Sequence, residues 1–279
     1  MTGAGFAVRT ATVDDLDAIV ALTTAWRRRL AAWSPRWWNP AAAADALHPQ
    51  WLRYLLQSDA TIVRVVEDAA GEVLGCAAAM RQPAQWVIDD VAVADDSLWP
   101  GAGRLLLEAV EERPALLCVP ATDEARVAAC ASAGLRVVSS YWIRETTAGE
   151  GADSSGGGSA MPDAVRAVAP DGVPEPPPHT FGPTATGRDG ELVIADEDGV
   201  VLGSPSIAAP PVYDPGGTVC IIDRIVGVDR VVLLRRAVGR TAARGDVLAC
   251  VVVSADDADL AVVVAAAGFT RTVDVHAWS

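Results

Sequence analysis

The chain has 279 residues, about half of them apolar, and sets 36 acidic side chains against 22 arginines and no lysine, a formal net charge of −14. That length accommodates two modest domains. That charge excludes a general nucleic-acid binder, because phosphate backbones select an excess of positive charge.

The pattern predicts elements in the following order. Ala7 to Thr12 alternates as a short strand, and Val13-Asp14-Asp15 offers a helix cap ahead of Leu16, Ile19, Val20 and Leu22 on one helical face. A second helix runs through Ala41 to Leu56. Thr61 to Glu67 and Glu72 to Met80 are strands joined by the turn Asp68-Ala69-Ala70-Gly71. Val87 to Val93 is a strand, Gly101 to Glu112 a helix, Ala115 to Val119 a strand, Thr122 to Ala133 a helix ending at Gly134, and Arg136 to Ile143 a strand. The order β-α-α-β-β-β-α-β-α-β specifies an α/β fold built on a mixed sheet.

From about Glu145 to Thr180 the sequence reads as a linker, with GEGADSSGGGS followed by VPEPPPHTFGP. Gly and Ser leave such a segment flexible, and Pro extends it. The expected domains are therefore 1–145 and 183–279, with 146–182 between them. The second block echoes the first at a constant offset of 134 positions. Trp86-Val87-Ile88-Asp89 matches Cys220-Ile221-Ile222-Asp223, Asp123 matches Asp257, and Ala133-Gly134-Leu135 matches Ala267-Gly268-Phe269. The hairpin Gly71-Glu72-Val73-Leu74-Gly75 is echoed by Gly199-Val200-Val201-Leu202-Gly203 at an offset of 128. The second block has no counterpart of the first helical pair, so it is a shortened copy. The alternative is that two Ala/Val-rich α/β segments align by composition alone.

The five cysteines lack CxxC spacing and sit among apolar residues, which reads as buried reduced thiols rather than a disulfide framework or zinc site. His48, His179 and His276 are far apart and show no ligand spacing, so no metal site is expected. The N-terminus does not read as a signal peptide, and no run approaches the ~18 apolar residues of a membrane helix. A soluble cytoplasmic protein without a membrane partner is expected.

Val91-Ala92-Val93-Ala94-Asp95-Asp96-Ser97-Leu98-Trp99-Pro100-Gly101-Ala102-Gly103-Arg104-Leu105 runs from a strand through a glycine-containing turn into a helix. With the opening VRTATVDDLDAIVAL and the segment Thr122 to Leu135, it resembles the Gcn5-related N-acetyltransferase (GNAT) superfamily over about Phe6 to Arg144. The resemblance implies two GNAT-like folds in tandem, the second shortened and degenerate. It also implies acetyl-CoA as co-substrate, bound by Val91, Val93, Leu98, Trp99, Gly101, Ala102, Gly103 and Arg104. The superfamily's motif is Arg/Gln-x-x-Gly-x-Gly/Ala, and Leu98 stands where Arg or Gln is expected. Backbone amides at a helix start bind a pyrophosphate, and glycine lets the backbone approach it. Pro100 removes one such donor. The equivalent stretch Gly227 to Ala237 has no GxG, so the second block is expected not to bind coenzyme A. Its expected role is to pack against the first and shape the acceptor pocket, or to present a homodimer surface.

The superfamily's acid is often a Tyr four residues before the Gly of its Gly-Phe end. Here that position is Cys130, and in the second block Val264. The resemblance therefore points to Asp89 as the base, on the strand leading to the loop and sharing a face with Val91 and Val93 by the strand period of two. An ion-pairing or turn-capping carboxylate is the alternative, favoured by the repeat of Asp89 as Asp223. Tyr141 and Tyr213 are the candidate acids. Tyr213 lies in the turn-rich Pro210-Pro211-Val212-Tyr213-Asp214-Pro215-Gly216-Gly217, a rigid loop that either reaches into the pocket of the first block or is a plain connection. The Trp-rich stretch Trp26, Trp33, Trp37, Trp38, with His48 and Trp51, falls where the superfamily binds its acceptor, and suits either an aromatic wall or core packing. The expected function is acyl-CoA-dependent N-acyl transfer to a small amine; the alternative is a non-catalytic GNAT-like binding or scaffold protein.

Overall fold

The computed structural model describes residues 5–34, 36–83, 85–110, 114–147, 192–196 and 198–278. Most of the expected linker, from residue 148 on, lies outside the described residues. In chain order the elements are β1 Ala7–Thr10, α1 Leu16–Trp33, α2 Ala44–Gln57, β2 Thr61–Glu67, β3 Val73–Arg81, β4 Trp86–Val93, α3 Arg104–Glu108, β5 Ala115–Pro120, α4 Glu124–Ser132 and β6 Arg136–Glu145. After the undescribed stretch come β7 Leu192–Asp196, β8 Gly199–Gly203, β9 Thr218–Gly227, α5 Arg230–Ala243, β10 Asp246–Ser254, α6 Ala258–Ala266 and β11 Thr270–Ala277.

The chain forms two compact units. Unit 1 comprises Met1–Val138, Pro211–Asp214 and Val273–Ser279; unit 2 comprises Ser139–Pro210 and Pro215–Thr272. In unit 1 the strands run in the order β1-β2-β3-β4-β5, followed by the C-terminal β11, which pairs antiparallel with β5 from Val273↔Pro120 to Ala277↔Leu116. The pairs along β1 to β4 are antiparallel, and β4–β5 is parallel. In unit 2 the order is β6-β10-β9-β8-β7, with β10–β9 parallel and the other pairs antiparallel. The strand pairing within each unit is therefore mixed.

Local chemistry sets the boundaries. Before α1, a capping box joins Thr12 and Asp15: Thr12 N–H donates to Asp15 Oδ2 at 2.7 Å, and Asp15 also holds Arg9 at 2.7 Å. The buried residues of α1 (Leu16, Ile19, Thr23, Trp26, Arg27, Leu30) recur at helical spacing and make a single stripe. Asp68 Oδ1 closes the β2–β3 turn by accepting from the amides of Ala70 and Glu72, and Gly71 supplies φ 82°. In unit 1, α1 and α2 pack on each other, as do α3 and α4. The core between the sheet and the second pair joins Val66, Ala77, Ile88, Val91, Val93, Trp99, Leu106, Leu107 and Cys130. At roughly 1.5–3 kcal/mol for each large apolar side chain removed from water, this layer is a main source of the unit's stability. A separate core in unit 2 gathers Val201, Ile222, Leu233, Leu234, Val251, Val264 and Phe269.

The offset of 134 positions reappears in the geometry. Asp123 and Asp257 each cap a helix, accepting from the amides of Arg126 and Leu260. Gly134 and Gly268 each end one in the left-handed region, at φ 84° and 89°. The parallel pairing of β4 with β5 ends at Ile88↔Leu117, and that of β9 with β10 at Ile222↔Val251. The hairpin echo does not follow its sequence offset of 128. Gly203 faces Ile222 as Ala79 faces Ile88, while Gly75 lies further along, opposite Val93.

Candidate functional site

On β4 the ladder to β3 passes from Ala79↔Ile88 directly to Ala78↔Asp90, so Asp89 is the extra residue of a β-bulge. A bulge breaks the period of two. Asp89 therefore does not share the face of Val91 and Val93, which are buried in the core with Ile88 while Asp89 reaches solvent. Beyond Ile88 and Leu117 the strands β4 and β5 no longer pair, and among the described residues no strand covers that edge of β4 from Asp89 to Val93.

Three side chains of α1 and α2 attend the two aspartates. Trp51 Nε1–H donates to Asp89 Oδ2 at 3.3 Å. His48, 3% exposed, places Nε2 3.1 Å from Asp90 Oδ2, and its Nδ1 lies 3.5 Å from Thr23 Oγ1, the outer limit of a hydrogen bond. The Thr23 hydroxyl donates to the Ile19 carbonyl at 2.8 Å, which leaves its oxygen free to accept from His48. Asp89 is touched by solvent on one side but crowded by protein on the others. That desolvation, and then the like charge of Asp90, raise its pKa to about 6.

Tyr213 belongs to this unit. The segment around it bridges residues 39–41 in strand-like fashion: Ala41 N–H donates to the Val212 carbonyl at 3.0 Å, Asp214 N–H to the Asn39 carbonyl at 2.7 Å, and Asn39 Nδ2 to the Asp214 carbonyl at 2.9 Å. Burial first, then the negative charge of Asp90 and Asp89, raise the pKa of its phenol. Tyr141, the other candidate acid, lies in unit 2 on β6 and is buried there. The Cys130 thiol is raised by burial to about 11, and the half-buried Cys118 thiol likewise to about 12, so both stay protonated at neutral pH.

The turn after β4 opens with Asp95, whose carboxylate accepts from Ser97 N–H at 2.9 Å. A 3-10 turn over Asp96–Leu98 and a π-helical turn over Trp99–Gly103 then lead into α3. Leu98 lies partly buried against the core, and Trp99 and Ala102 are wholly buried in it. Packing requires the glycine at 103, where a Cβ would lie 2.3 Å from the wholly buried Trp99; at Gly101 a Cβ would lie 2.8 Å from the far edge of the Phe6 ring, a half-buried side chain with room to shift. Arg104 pairs with Glu108, and Arg29 holds Asp96 at 2.7 Å.

Sequence reasoning missed Arg126. It is 2% exposed, with its Cζ 4.3 Å from the Trp26 ring centroid and 5.4 Å from that of Trp99. Its spacing from Ala129 and Cys130, three and four residues on, is the signal that it faces inward with them. Trp26 also leans on Trp33 (5.3 Å between ring centroids), and Trp51 stacks on Tyr54 (5.4 Å). Trp26 and Trp99 are thus buried at Arg126, while Trp51, stacked on the exposed Tyr54, serves Asp89.

No family model matches the sequence, and no curated protein does. Solved structures do match. The chain is similar to an acetyltransferase of the GNAT family from Bacillus cereus, at 12% identity and TM-score 0.36 over 48% of this chain and 84% of that one. It is similar to the spermidine N-acetyltransferase of Vibrio cholerae solved with CoA and spermine, at 17% identity and TM-score 0.36 over 47% and 81%. It is also similar to a GCN5-related glucosamine N-acetyltransferase region of a fungal multi-domain GH3 β-N-acetylglucosaminidase, at 13% identity and TM-score 0.49. That match covers 99% of this chain, which spans 38% of the fungal one. The similarity to GNAT acetyltransferases is one of fold.

Proposed function

We propose that unit 1 is an acyl-CoA-dependent N-acyltransferase acting on a small amine, with acetyl-CoA as the first co-substrate to test. The observation that carries the reading is geometric: Asp89 is bulged out of β4 and held by Trp51 at the uncovered edge of that strand, with its pKa raised to about 6, and Tyr213, whose phenol keeps its proton, lies in the same unit.

Coenzyme A is a fair match to the residues present, better at one end than at the other. The uncovered β4 edge from Asp89 to Val93 can take the amides of an extended pantetheine arm as a strand takes its neighbour. Two buried donors, Trp99 Nε1 and Arg126 Nε, meet no acceptor. At the pyrophosphate end the support is backbone alone: Leu98 brings no charge, Pro100 no N–H, and Arg104 is shared with Glu108. Val91 and Val93 would hold the arm through their main chain. The turn Leu98 to Gly103 would receive the pyrophosphate through its main-chain amides, and Arg104 would add charge at the mouth.

Bound there, an acyl-CoA supplies an electrophilic thioester carbonyl and a thiolate leaving group. Transfer forms a C–N bond, breaks the C–S bond, takes a proton from the amine and returns one to sulfur. Asp89 accepts the amine's proton, directly or through one water, and a carboxylate with a pKa near the working pH suits that task. Tyr213 donates its phenolic proton towards sulfur. Trp51 steadies Asp89, while His48, braced by Thr23, steadies Asp90.

A second reading, a binding protein without acyl transfer, is favoured by the filled turn, where Trp99 and Phe6 occupy the space that a side chain at Gly103 or Gly101 would take. Calorimetric titration of the full chain with acetyl-CoA, repeated on Arg104→Glu, is read together with amine-dependent release of free CoA thiol. Micromolar binding weakened by the variant, with thiol release, supports the transferase. Binding without thiol release supports the second reading, and absence of binding by folded wild type rejects the transferase.

A further inference from the structure

Arg126 is a buried cation with no hydrogen-bonded counter-ion among the described residues; the carboxylates of Asp123 and Asp90 act on it only at longer range. The Nε of its guanidinium and the neighbouring Trp99 Nε1 are both sequestered and both lack an acceptor. Asp123, one turn earlier, does not serve: one of its oxygens accepts from the Arg126 backbone amide and the other has no partner. Asp89 is engaged by Trp51 and Asp90 by His48. A guanidinium keeps its proton in proteins and carries five donors in its plane. Trp26 and Trp99 attract the cation through their ring faces, which leaves the in-plane N–H edge unmet. Such an edge binds a carboxylate in a two-pronged geometry.

The fold does not require this polarity. At the offset of 134, unit 2 carries Leu260 for Arg126 and Leu233 for Trp99, and both pack into an apolar core. An unpaired buried charge is strongly unfavourable, and a matching anion removes the penalty.

We propose that Arg126, assisted by the Trp99 indole N–H, is the receptor in unit 1 for a carboxylate on its ligand. The carboxylate belongs either to the acyl group, as in the half-thioester of a dicarboxylic acid, or to the amine acceptor, as in an amino acid. The choice between those sources rests on the transferase reading; the receptor does not.

The full chain is titrated calorimetrically with three pairs: malonate against malonamide, malonyl-CoA against acetyl-CoA, and glycine against glycinamide. A two-pronged charged contact predicts a preference of about 10- to 100-fold for the carboxylate in the malonate pair, shared by whichever other pair carries the true ligand group. Arg126→Gln removes the preference. Malonate binding without affinity for either thioester keeps the receptor and ends the transferase reading. Equal affinities within all three pairs overturn the receptor, and so does a preference that survives Arg126→Gln. Should that variant fail to fold, wild type decides alone: malonate must bind in preference to malonamide and must change tryptophan emission, and failure of either overturns the proposal.

Discussion

In unit 1 the parallel pair β4–β5 ends at Ile88↔Leu117, with Asp89 bulged out next to it; in unit 2 the pair β9–β10 ends 134 positions later at Ile222↔Val251, and the ladder of β8 skips Asp223 in the same way. Around this common frame the side chains diverge. Trp99, Gly103, Arg126 and Cys130 in unit 1 have Leu233, Ala237, Leu260 and Val264 at the equivalent places in unit 2, all of them in or against its core. The helix after β9 is capped by its own Asp229, which accepts from Val232 N–H at 3.0 Å. What the two units share therefore belongs to folding. What unit 1 adds among the described residues (an aspartate held by Trp51, a buried histidine on Asp90, an arginine between two indoles) is not needed to build the frame.

The sharpest test of that division is Asp89 against Asp223. Both are the extra residue of a bulge, so a structural role predicts similar losses from Asp→Asn at either place. The transferase reading predicts asymmetry. Asp89→Asn lowers kcat by about 10²- to 10⁴-fold and abolishes the acid limb of the pH profile near 6, while Asp223→Asn stays within about two-fold of wild type. Equal effects in steady-state kinetics would remove Asp89 from the mechanism.

Next in size comes Gly103. Its absent Cβ leaves room for the Trp99 ring, so Gly103→Ala forces that ring to move and costs about 1–3 kcal/mol, read as the midpoint of denaturant unfolding. At the equivalent place unit 2 already has Ala237, wholly buried on α5. Ala237→Gly costs about 1 kcal/mol through helix propensity. The second glycine of the GxG pair that suggested a phosphate turn is thus explained by packing, and for this reason glutamate at Gly103 is a poor probe of coenzyme A binding compared with Arg104→Glu.

This contrast also shows what the sequence could and could not reveal. The element order through β6 was legible because each element has its own periodicity and punctuation: the alternation of Thr61–Glu67, the Asp123 cap, the stop at Gly134. The bulge was not, since WVIDDVAV reads the same with or without an extra residue and only the β3 ladder reveals it. Pairing of distant strands was not legible either. Nothing in TRTVDVHA says that it lies beside β5, because a strand's pattern reports its faces and not its neighbour. Arg126 between two indoles required three segments to be brought together, from α1, the turn before α3, and α4.

The paired helix caps test the shared frame itself. Asp257→Ala removes a helix cap and costs about 1 kcal/mol of unfolding free energy. Asp123 caps in the same way, but its second oxygen is buried without a partner, and burial raises its pKa. Loss of that cap is therefore partly offset by relief of a desolvated carboxylate, and Asp123→Ala is expected to cost less than Asp257→Ala. Equal costs would show that the buried oxygen of Asp123 carries no penalty.

The smallest effect is a pH dependence with two opposing limbs, both in unit 1. Asp89 titrates at about 6 when folded and at an ordinary carboxylate value when unfolded, so its ionised form is disfavoured by folding. That penalty is complete above pH 6 and disappears as pH falls from there to about 4. Asp15 behaves oppositely. Arg9 holds it down at about 2, so its contribution is complete above about pH 4 and is lost as pH falls towards 2. Stability from these two groups should rise as pH is lowered from 7 to about 4.5 and fall below 4. Because Asp89 reaches solvent, its limb is worth only about 1 kcal/mol after screening. Asp89→Asn should flatten the limb between pH 7 and 4.5 and leave the fall below 4 in place. Denaturant unfolding of both proteins at pH 7.0, 5.5, 4.5 and 3.0 separates the limbs, and a wild type whose stability declines steadily from pH 7 to 4.5 would show that Asp89 is as well solvated as any surface carboxylate, leaving it without the property that makes it a base.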